Sequence, residues 1–451
     1  MRCSQRIGRR GFVGLLACAA AALAVAVVAR SVSSSAPSFR RSVVGTDDGV
    51  AVAIGDLNRD GIADIVVANY NSSSVSVGLD RGGGRFTGAS YDVGGLARSV
   101  AIDDLNGDGK PDIATANEGS YTVSVLLNSG DGRFAARSDY ALGRDPVGIA
   151  TGDLNGDTKP DLAVGNQFTS SVSVLLNRGD GTFLPGKAYA TARHPSSVAI
   201  GDFNGDAKLD LAAANSGAKT VSVLVNRGDG SFEGKRDYPV GRNPQSIAIA
   251  DLDANGKPDL VTANWGSATS SVLLNRGDGS FQVKRDYLTG EGPFAVAAGD
   301  LNGDRAPDVV TANVEGTVSV LLNRGDGSFQ PKLDYVPGLD LYGWGSIAIG
   351  DLNGDRRLDL AVPIVNSRNS YAYLSLLINR PGLCNVQHVL GMTLTTAKRA
   401  LARINCRAGT VRRSYSNRAK RGRVMFQKPS LGAVLRKGGK VELVVSRGRK
   451  Q

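Results

Sequence analysis

The chain has few of the residues that most often carry chemistry. Of its 451 residues only two are histidine, His194 and His388, four are cysteine, two are tryptophan, and aromatics make up 6%. His194 stands in ARHPSS where sister segments read GRDPVG and GRNPQS, so it reads as a loop substitution. No nucleophile can be matched with a base, which removes support for serine- or cysteine-type acyl transfer. Cys3 and Cys18 fall in an N-terminal leader, leaving Cys384 and Cys406. That pair fits no zinc spacing and suits one disulfide in a small exported module.

Long apolar runs are also missing, with one exception: residues 11–29 carry no charge and follow four arginines. Residues 1–30 therefore read as an export signal, with Val27-Val28-Ala29 before the cut. Arg9-Arg10-Gly11-Phe12-Val13 resembles a twin-arginine signal, and a retained single-span anchor is the alternative, the only route to a membrane.

Acids are scarce in one region. From 384 to 451 there are 17 Lys and Arg against Glu442 alone, or +16, and residues 1–30 carry +5. Removing both from the overall +11 leaves −10 for residues 31–383. The protein is an acidic body with a basic tail, a balance that suits a polyanionic partner for the tail. Nucleic acid is disfavoured, since few aromatics are interleaved with those bases.

What the body has in abundance is glycine, 58 residues, and repetition. A nine-residue acidic pattern begins at Asp56, Asp104, Asp153, Asp202, Asp251, Asp300 and Asp351, at spacings of 48 to 51. Each period holds an alternating run such as SIAIADL, the acidic loop, a run such as DLVTAN, a polar loop, a run such as SSVLLN, a glycine turn and a run such as FQVKRDY. Period-2 alternation between turns predicts four antiparallel strands per repeat, one propeller blade. The seventh repeat stops after its third strand at SLLINRPG, while SFRRSVVG at 38–45 echoes SFQVKRDYLTG. The N-terminal strand is therefore expected to complete the last blade, which removes a free sheet edge. The expected fold is an all-β seven-bladed propeller over 38–380 with a small α+β domain over 384–448.

These repeats resemble the FG-GAP or VCBS family, known from the propeller of integrin α subunits. The resemblance implies that the acidic loops bind calcium, up to seven structural ions. The ligand sets would be Asp56, Asn58, Asp60 and Asp64; Asp104, Asn106, Asp108 and Asp112; Asp153, Asn155, Asp157 and Asp161; and Asp202, Asn204, Asp206 and Asp210. The remaining three are Asp251, Asp253, Asn255 and Asp259; Asp300, Asn302, Asp304 and Asp308; and Asp351, Asn353, Asp355 and Asp359. Positions 1, 3, 5 and 9 supply side-chain oxygens and position 7 a carbonyl, the hard-donor set that calcium takes. Position 6 is Gly61, Gly109 and Gly256 but Thr158, Ala207, Arg305 and Arg356 elsewhere, so those four loops are strained if the position needs positive φ.

In a meander, the acidic loops and glycine turns share one face, and the loops after the second strand share the other with the inter-blade loops. On that other face Tyr70, Tyr121, Phe168 and Trp265 stand in one loop class and Phe294, Tyr342 and Trp344 in the other. These are the candidate contacts for an unknown glycan or protein, or else packing between blades. Asn69, Asn117, Asn166, Asn215, Asn264 and Asn313, which end the second strands, read as loop-fixing.

The tail resembles a PASTA domain, on Val386, Val389, Gly391, Ala397, Leu401, Val411, Gly422, Val424, Gln427, Pro429, Gly432, Gly438, Val441 and Val445, with Gln387 in place of a usual proline. That resemblance implies binding to a cell-wall polymer such as peptidoglycan. A helix is expected from Leu394, and strands near 422–427 and 440–446. The resulting expectation is a non-enzymatic recognition or adhesion protein, secreted or on the surface of the bacterial envelope. A polysaccharide lyase-like enzyme using Lys, Arg or Tyr as base, and a structural wall component, are the alternatives. Arg-Gly-Asp occurs in NRGDGSF at 226–232, 275–281 and 323–329 and in NRGDGTF at 177–183, and reads as turn chemistry because the first two repeats lose part of it and keep the glycines.

Overall fold

A computed structural model describes residues 36–82, 84–337, 345–366 and 371–450. The leader 1–30, Tyr342 and Trp344 lie outside them. Seven four-stranded antiparallel sheets follow one another. Blade 4 is representative, with strands Pro195–Gly201, Asp210–Asn215, Thr220–Leu224 and Arg236–Pro239. The seventh sheet is Ala348–Gly350, Asp359–Asn366 and Tyr371–Asn379 with Phe39–Thr46 on its outer edge, antiparallel to Tyr371–Asn379. The N-terminal strand thus fastens the ring as expected.

Burial explains why each strand has its composition. The second strands are buried throughout because neighbouring blades cover both faces. Alternation there sorts side chains between two cores: Leu260 packs with Phe203, Val223 and Ile247 towards blade 4, and Val261 with Leu252, Val296 and Val309 towards blade 6. The fourth strands of blades 2 to 5, such as Arg285–Leu288, face water except at one partly buried position, and there they carry tyrosine.

That tyrosine staples each of blades 1 to 6 to the next. Tyr189 meets Phe232 edge to face at 5.0 Å, and its hydroxyl donates to the Gly230 carbonyl at 2.7 Å. Phe39 takes the same place for Tyr335, at 4.9 Å. A second staple is the asparagine ahead of each glycine turn: Asn226 Nδ2 donates to the carbonyls of Leu154, in the preceding blade, and Leu209. In blade 1 this residue is Asp80, whose carboxylate instead accepts from the N–H groups of Gly82, Gly84 and Arg85. Blades 7 and 1 are joined by an aliphatic core around Ile54, Ile65, Leu352 and Leu374, and by Val52 N–H donating to Ser346 Oγ at 2.8 Å.

The tail has the expected helix, Leu394–Arg403, capped by Thr393 Oγ1 accepting from the Thr396 N–H at 3.2 Å. Its sheet orders Cys406–Ser414, Gly439–Ser446 and Val424–Lys428, the first two parallel. The strand Cys406–Ser414 was not anticipated, because its arginines and glycine hide the alternation. Cys384 and Cys406 form the disulfide, with Cα atoms 4.9 Å apart. The tail is docked on the propeller: its core is continuous with that of blades 6 and 7. Asn385 pairs with both backbone groups of Phe39, at 3.0 and 2.8 Å, and Gln387 Oε1 accepts from the Asp334 N–H at 2.7 Å. That contact supplies a reason for glutamine where proline is usual. No helix among the described residues is long and apolar enough to cross a membrane.

Candidate calcium loops and recognition face

Each acidic loop is folded by its own carboxylates. In the first, Asp56 accepts from the N–H groups of Asp60 and Gly61, Asn58 Oδ1 from Asp60, and Asp60 from Ile62. Position 9 is the buried anchor. Asp64 Oδ2 accepts from the Leu57 N–H and Oδ1 from the Asp80 N–H, both at 2.8 Å, tying the loop to the end of the third strand. The same two bonds recur at Asp112, Asp161, Asp210, Asp259, Asp308 and Asp359.

Burial lifts these seven carboxyls, to about 6 for Asp64, Asp112, Asp161, Asp210 and Asp359, about 7 for Asp259 and about 8 for Asp308. The backbone bonds pull down less than burial raises, and the other carboxylates of each loop add to the rise. Side-chain oxygens at positions 1, 3, 5 and 9 of each loop are a hard-donor set of the kind a divalent cation takes.

The fifth loop fits a metal most directly. Oxygens of Asp251, Asp253 and Asp259 lie within 4.8 Å of one another, and Asp253 Oδ1 is buried with no hydrogen-bond partner. In loops 2, 3 and 4 the position-7 lysine instead reaches the position-5 carboxylate: Lys110 to Asp108 at 3.0 Å, Lys159 to Asp157 at 3.2 Å and Lys208 to Asp206 at 3.5 Å. In loop 5 Lys257 turns away and donates to the Arg276 carbonyl at 2.6 Å. The Asp253/Asn255 exchange therefore makes loop 5 the best-prepared site.

Position 6 has positive φ in all seven loops, including Thr158 (69°), Ala207 (64°), Arg305 (72°) and Arg356 (64°). Position 4 does too, which the motif did not reveal, with Arg59 (62°) and Ala254 (58°) strained there. Only the second loop has glycine at both.

The glycine turns lie beside these loops, as Asn226 reaching Leu154 shows. Within NRGDGSF, the Asp229 carboxylate accepts from the N–H and hydroxyl of Ser231, at 2.9 and 2.5 Å, and these bonds hold it below the usual carboxylate range. Arg227 Nη1 donates to the Phe232 carbonyl. Both charged groups of the tripeptide serve the turn.

On the opposite face the aromatics divide. Arg98 in blade 2 stacks 5.7 Å from the ring of Tyr70, in blade 1, and 5.8 Å from that of Phe294, in blade 6, and lies 3.8 Å from Glu118. Blades 2 and 6 are not neighbours, so this cluster sits at the axis, where the first strands converge. Phe294 is not in the inter-blade loop: it is in the strand Pro293–Gly299, at the irregularity between Pro293 and Ala295 that re-aims it inward. Tyr121, Phe168 and Trp265 remain exposed, at 38, 66 and 40%. The second-strand asparagines are loop-fixing as read: Asn264 Nδ2 donates to Thr269 and Ser271.

The FG-GAP-like repeat model matches at 56–115, 104–164, 153–213, 202–262, 251–311 and 300–362, about two thirds of the chain, and the PASTA domain model matches at 385–447. No curated protein matches. Among solved structures, the BP39L lectin from Burkholderia pseudomallei is 15% identical over 76% of this chain and 99% of its own, with a TM-score of 0.56. BBS1N, solved in complex with ARL6DN, is 12% identical over 77% and 98%, with a TM-score of 0.55. At such identities the likeness concerns the fold. The six matched repeats over 56–362 are sequence matches, and on them the chain belongs to the FG-GAP-like repeat family.

Proposed function

We propose that the protein is a non-enzymatic, calcium-stabilised recognition protein of the bacterial envelope, whose propeller binds a glycan and whose PASTA domain holds it to a wall polymer. The observation that carries the reading is the face opposite the acidic loops. Tyr121, Phe168 and Trp265 stay in water although a propeller offers ample blade-to-blade core for aromatics. A lectin among the structural neighbours is consistent with this use of the fold. PASTA domains are associated with peptidoglycan, and the tail's exposed Arg412, Arg413, Arg418 and Lys420 suit an anionic wall.

In the acidic loops, calcium would be held by positions 1, 3, 5 and 9 and would offset the charge buried with Asp64 and its six counterparts. A panel of glycans tests the recognition role: retention without cleavage is expected, and new ultraviolet-absorbing or reducing ends would mean an enzyme. Sedimentation with isolated cell walls tests anchoring. Because the tail also clasps Phe39, the informative variant reverses Arg412, Arg413, Arg418 and Lys420 to Glu instead of deleting the domain. Undiminished pelleting of that variant would refute wall anchoring by the tail.

A further inference from the structure

The exposed aromatics are not scattered. Backbone bonds place Leu142 N–H on the Tyr121 carbonyl and Gln167 N–H on the Asp145 carbonyl, so Arg144 lies between the loops bearing Tyr121 and Phe168. Thr191 N–H bonds the Ser170 carbonyl and Gly217 N–H the Arg193 carbonyl, which sets Arg193 between the Phe168 loop and the next. Val240 N–H on the Lys219 carbonyl and Gly266 N–H on the Arg242 carbonyl place Lys219 and Arg242 before Trp265. Around the rim from blade 2 to blade 5 the order is thus aromatic, cation, aromatic, then three cations, then aromatic.

The four cations are exposed and none forms an ion pair among the described residues. Arg144 is 6.0 Å from the Tyr121 ring, and His194 meets Phe168 edge to face at 6.0 Å. Asp145, which follows Arg144 in the chain, is buried. Within the arc Glu118, in the Tyr121 loop, is taken up by Arg98 at 3.8 Å, and beyond it lie Glu291 and Glu315 in blade 6 and Asp48 in blade 1, where Asp48 is occupied by the N–H groups of Asn71 and Ser72.

We propose that this arc is the binding groove for a linear polysaccharide of the uronic-acid class. Sugar carboxylates would meet Arg144, Arg193, Lys219 and Arg242, and pyranose faces would lie on Tyr121, Phe168 and Trp265. The inference rests on the recognition reading above and adds the charge and length of the ligand. A guanidinium fork matches a carboxylate, and aromatic faces suit the apolar side of a sugar ring. Three successive blade junctions each carry an arginine, and the blade 4 loop adds Lys219 where the others carry an aromatic, so a single sugar would engage one cation and a polyuronate all of them.

The test uses the full-length protein in calcium, titrated with an oligogalacturonate, its methyl ester, a neutral glucan and single-stranded DNA. The triple substitution Arg144→Gln, Arg193→Gln, Arg242→Gln is expected to weaken oligogalacturonate binding at least ~100-fold, since a charge-assisted bond contributes on the order of tenfold or more. Unchanged thermal unfolding of that variant shows it is folded, and Phe168→Ala, a change remote from the cores, gives a second reading. The methyl ester should bind as weakly as the glucan, and affinity should fall as salt rises. Equal binding of acid and ester, or indifference to the triple substitution, overturns this inference while leaving glycan recognition standing. Retention of no glycan at all overturns the recognition reading itself. DNA binding with the same arc dependence and no uronate binding overturns the ligand class.

Discussion

Removing divalent cations should make the protein less stable as pH rises from 5 to 8, and calcium should cancel that trend. The seven position-9 carboxyls have folded values raised above the ordinary 3.8, to about 6 in five loops, about 7 at Asp259 and about 8 at Asp308. A raised value means stability that is complete below the unfolded value and lost as pH rises through the folded one. At 1.36 kcal/mol per unit, the loss between pH 5 and 8 is about 1 kcal/mol for each of the five and about 3 for Asp259 and Asp308. Water beside these surface loops reduces the sum by half or more, leaving on the order of 5 kcal/mol, or roughly 6 °C in Tm for a protein of this size. The carboxyls held low by their own turns, such as Asp229 and Asp278, lie below the ordinary carboxylate range and do not blur the window. Calorimetric unfolding in chelator and in millimolar calcium, at both pH values, measures this. A chelated Tm that is flat or rises between pH 5 and 8, or a calcium shift equal at both, would refute the reasoning.

Loop 5 should hold calcium most tightly, so Asp253→Asn should remove the highest-affinity step from a calorimetric titration; a titration identical to wild type contradicts the assignment. Asn385→Ala leaves a buried N–H and carbonyl of Phe39 unpaired and should cost about 2 kcal/mol, read by denaturant unfolding; a loss below ~0.5 kcal/mol would show the clasp to be idle. Replacing both Cys384 and Cys406 by Ala should cost about 3 kcal/mol from the 22-residue separation, and should lower unfolding of the propeller with that of the tail because they share a core; independent transitions would argue against the docked arrangement. Integrin-bearing cells should not adhere through the four Arg-Gly-Asp turns, whose Asp180, Asp229, Asp278 and Asp326 are already bonded, and replacing all four by Ala should change nothing; adhesion lost in that variant would reverse the reading of the tripeptide.

Repetition made most of the architecture legible in the chain alone. Seven acidic loops at a near-constant spacing, each between β-patterned runs, state the number of blades, and the surplus strand at 38–45 states how they close. Local chemistry was legible too: Asp229 bonds within its own turn, and Asn264 within its own loop, because both partners lie a few residues away. The recognition face was only half legible. Tyr70 looks equivalent to Trp265 in the sequence and Phe294 looks like an inter-blade loop residue, yet closure of the ring brings both Tyr70 and Phe294 to Arg98 from separate blades. Arg144, Arg193 and Arg242 stood before or near the prolines of successive repeats, but which aromatic each would border depended on how neighbouring blades register. Gln387 read as a departure from a pattern, and Asn385 gave no signal, until the tail lay against Asp334 and Phe39. Strand pattern and turn composition are set by contacts within some fifty residues, which one period contains. The axis, the arc and the clasp are set by contacts between blades and domains, which exist only once the ring has closed.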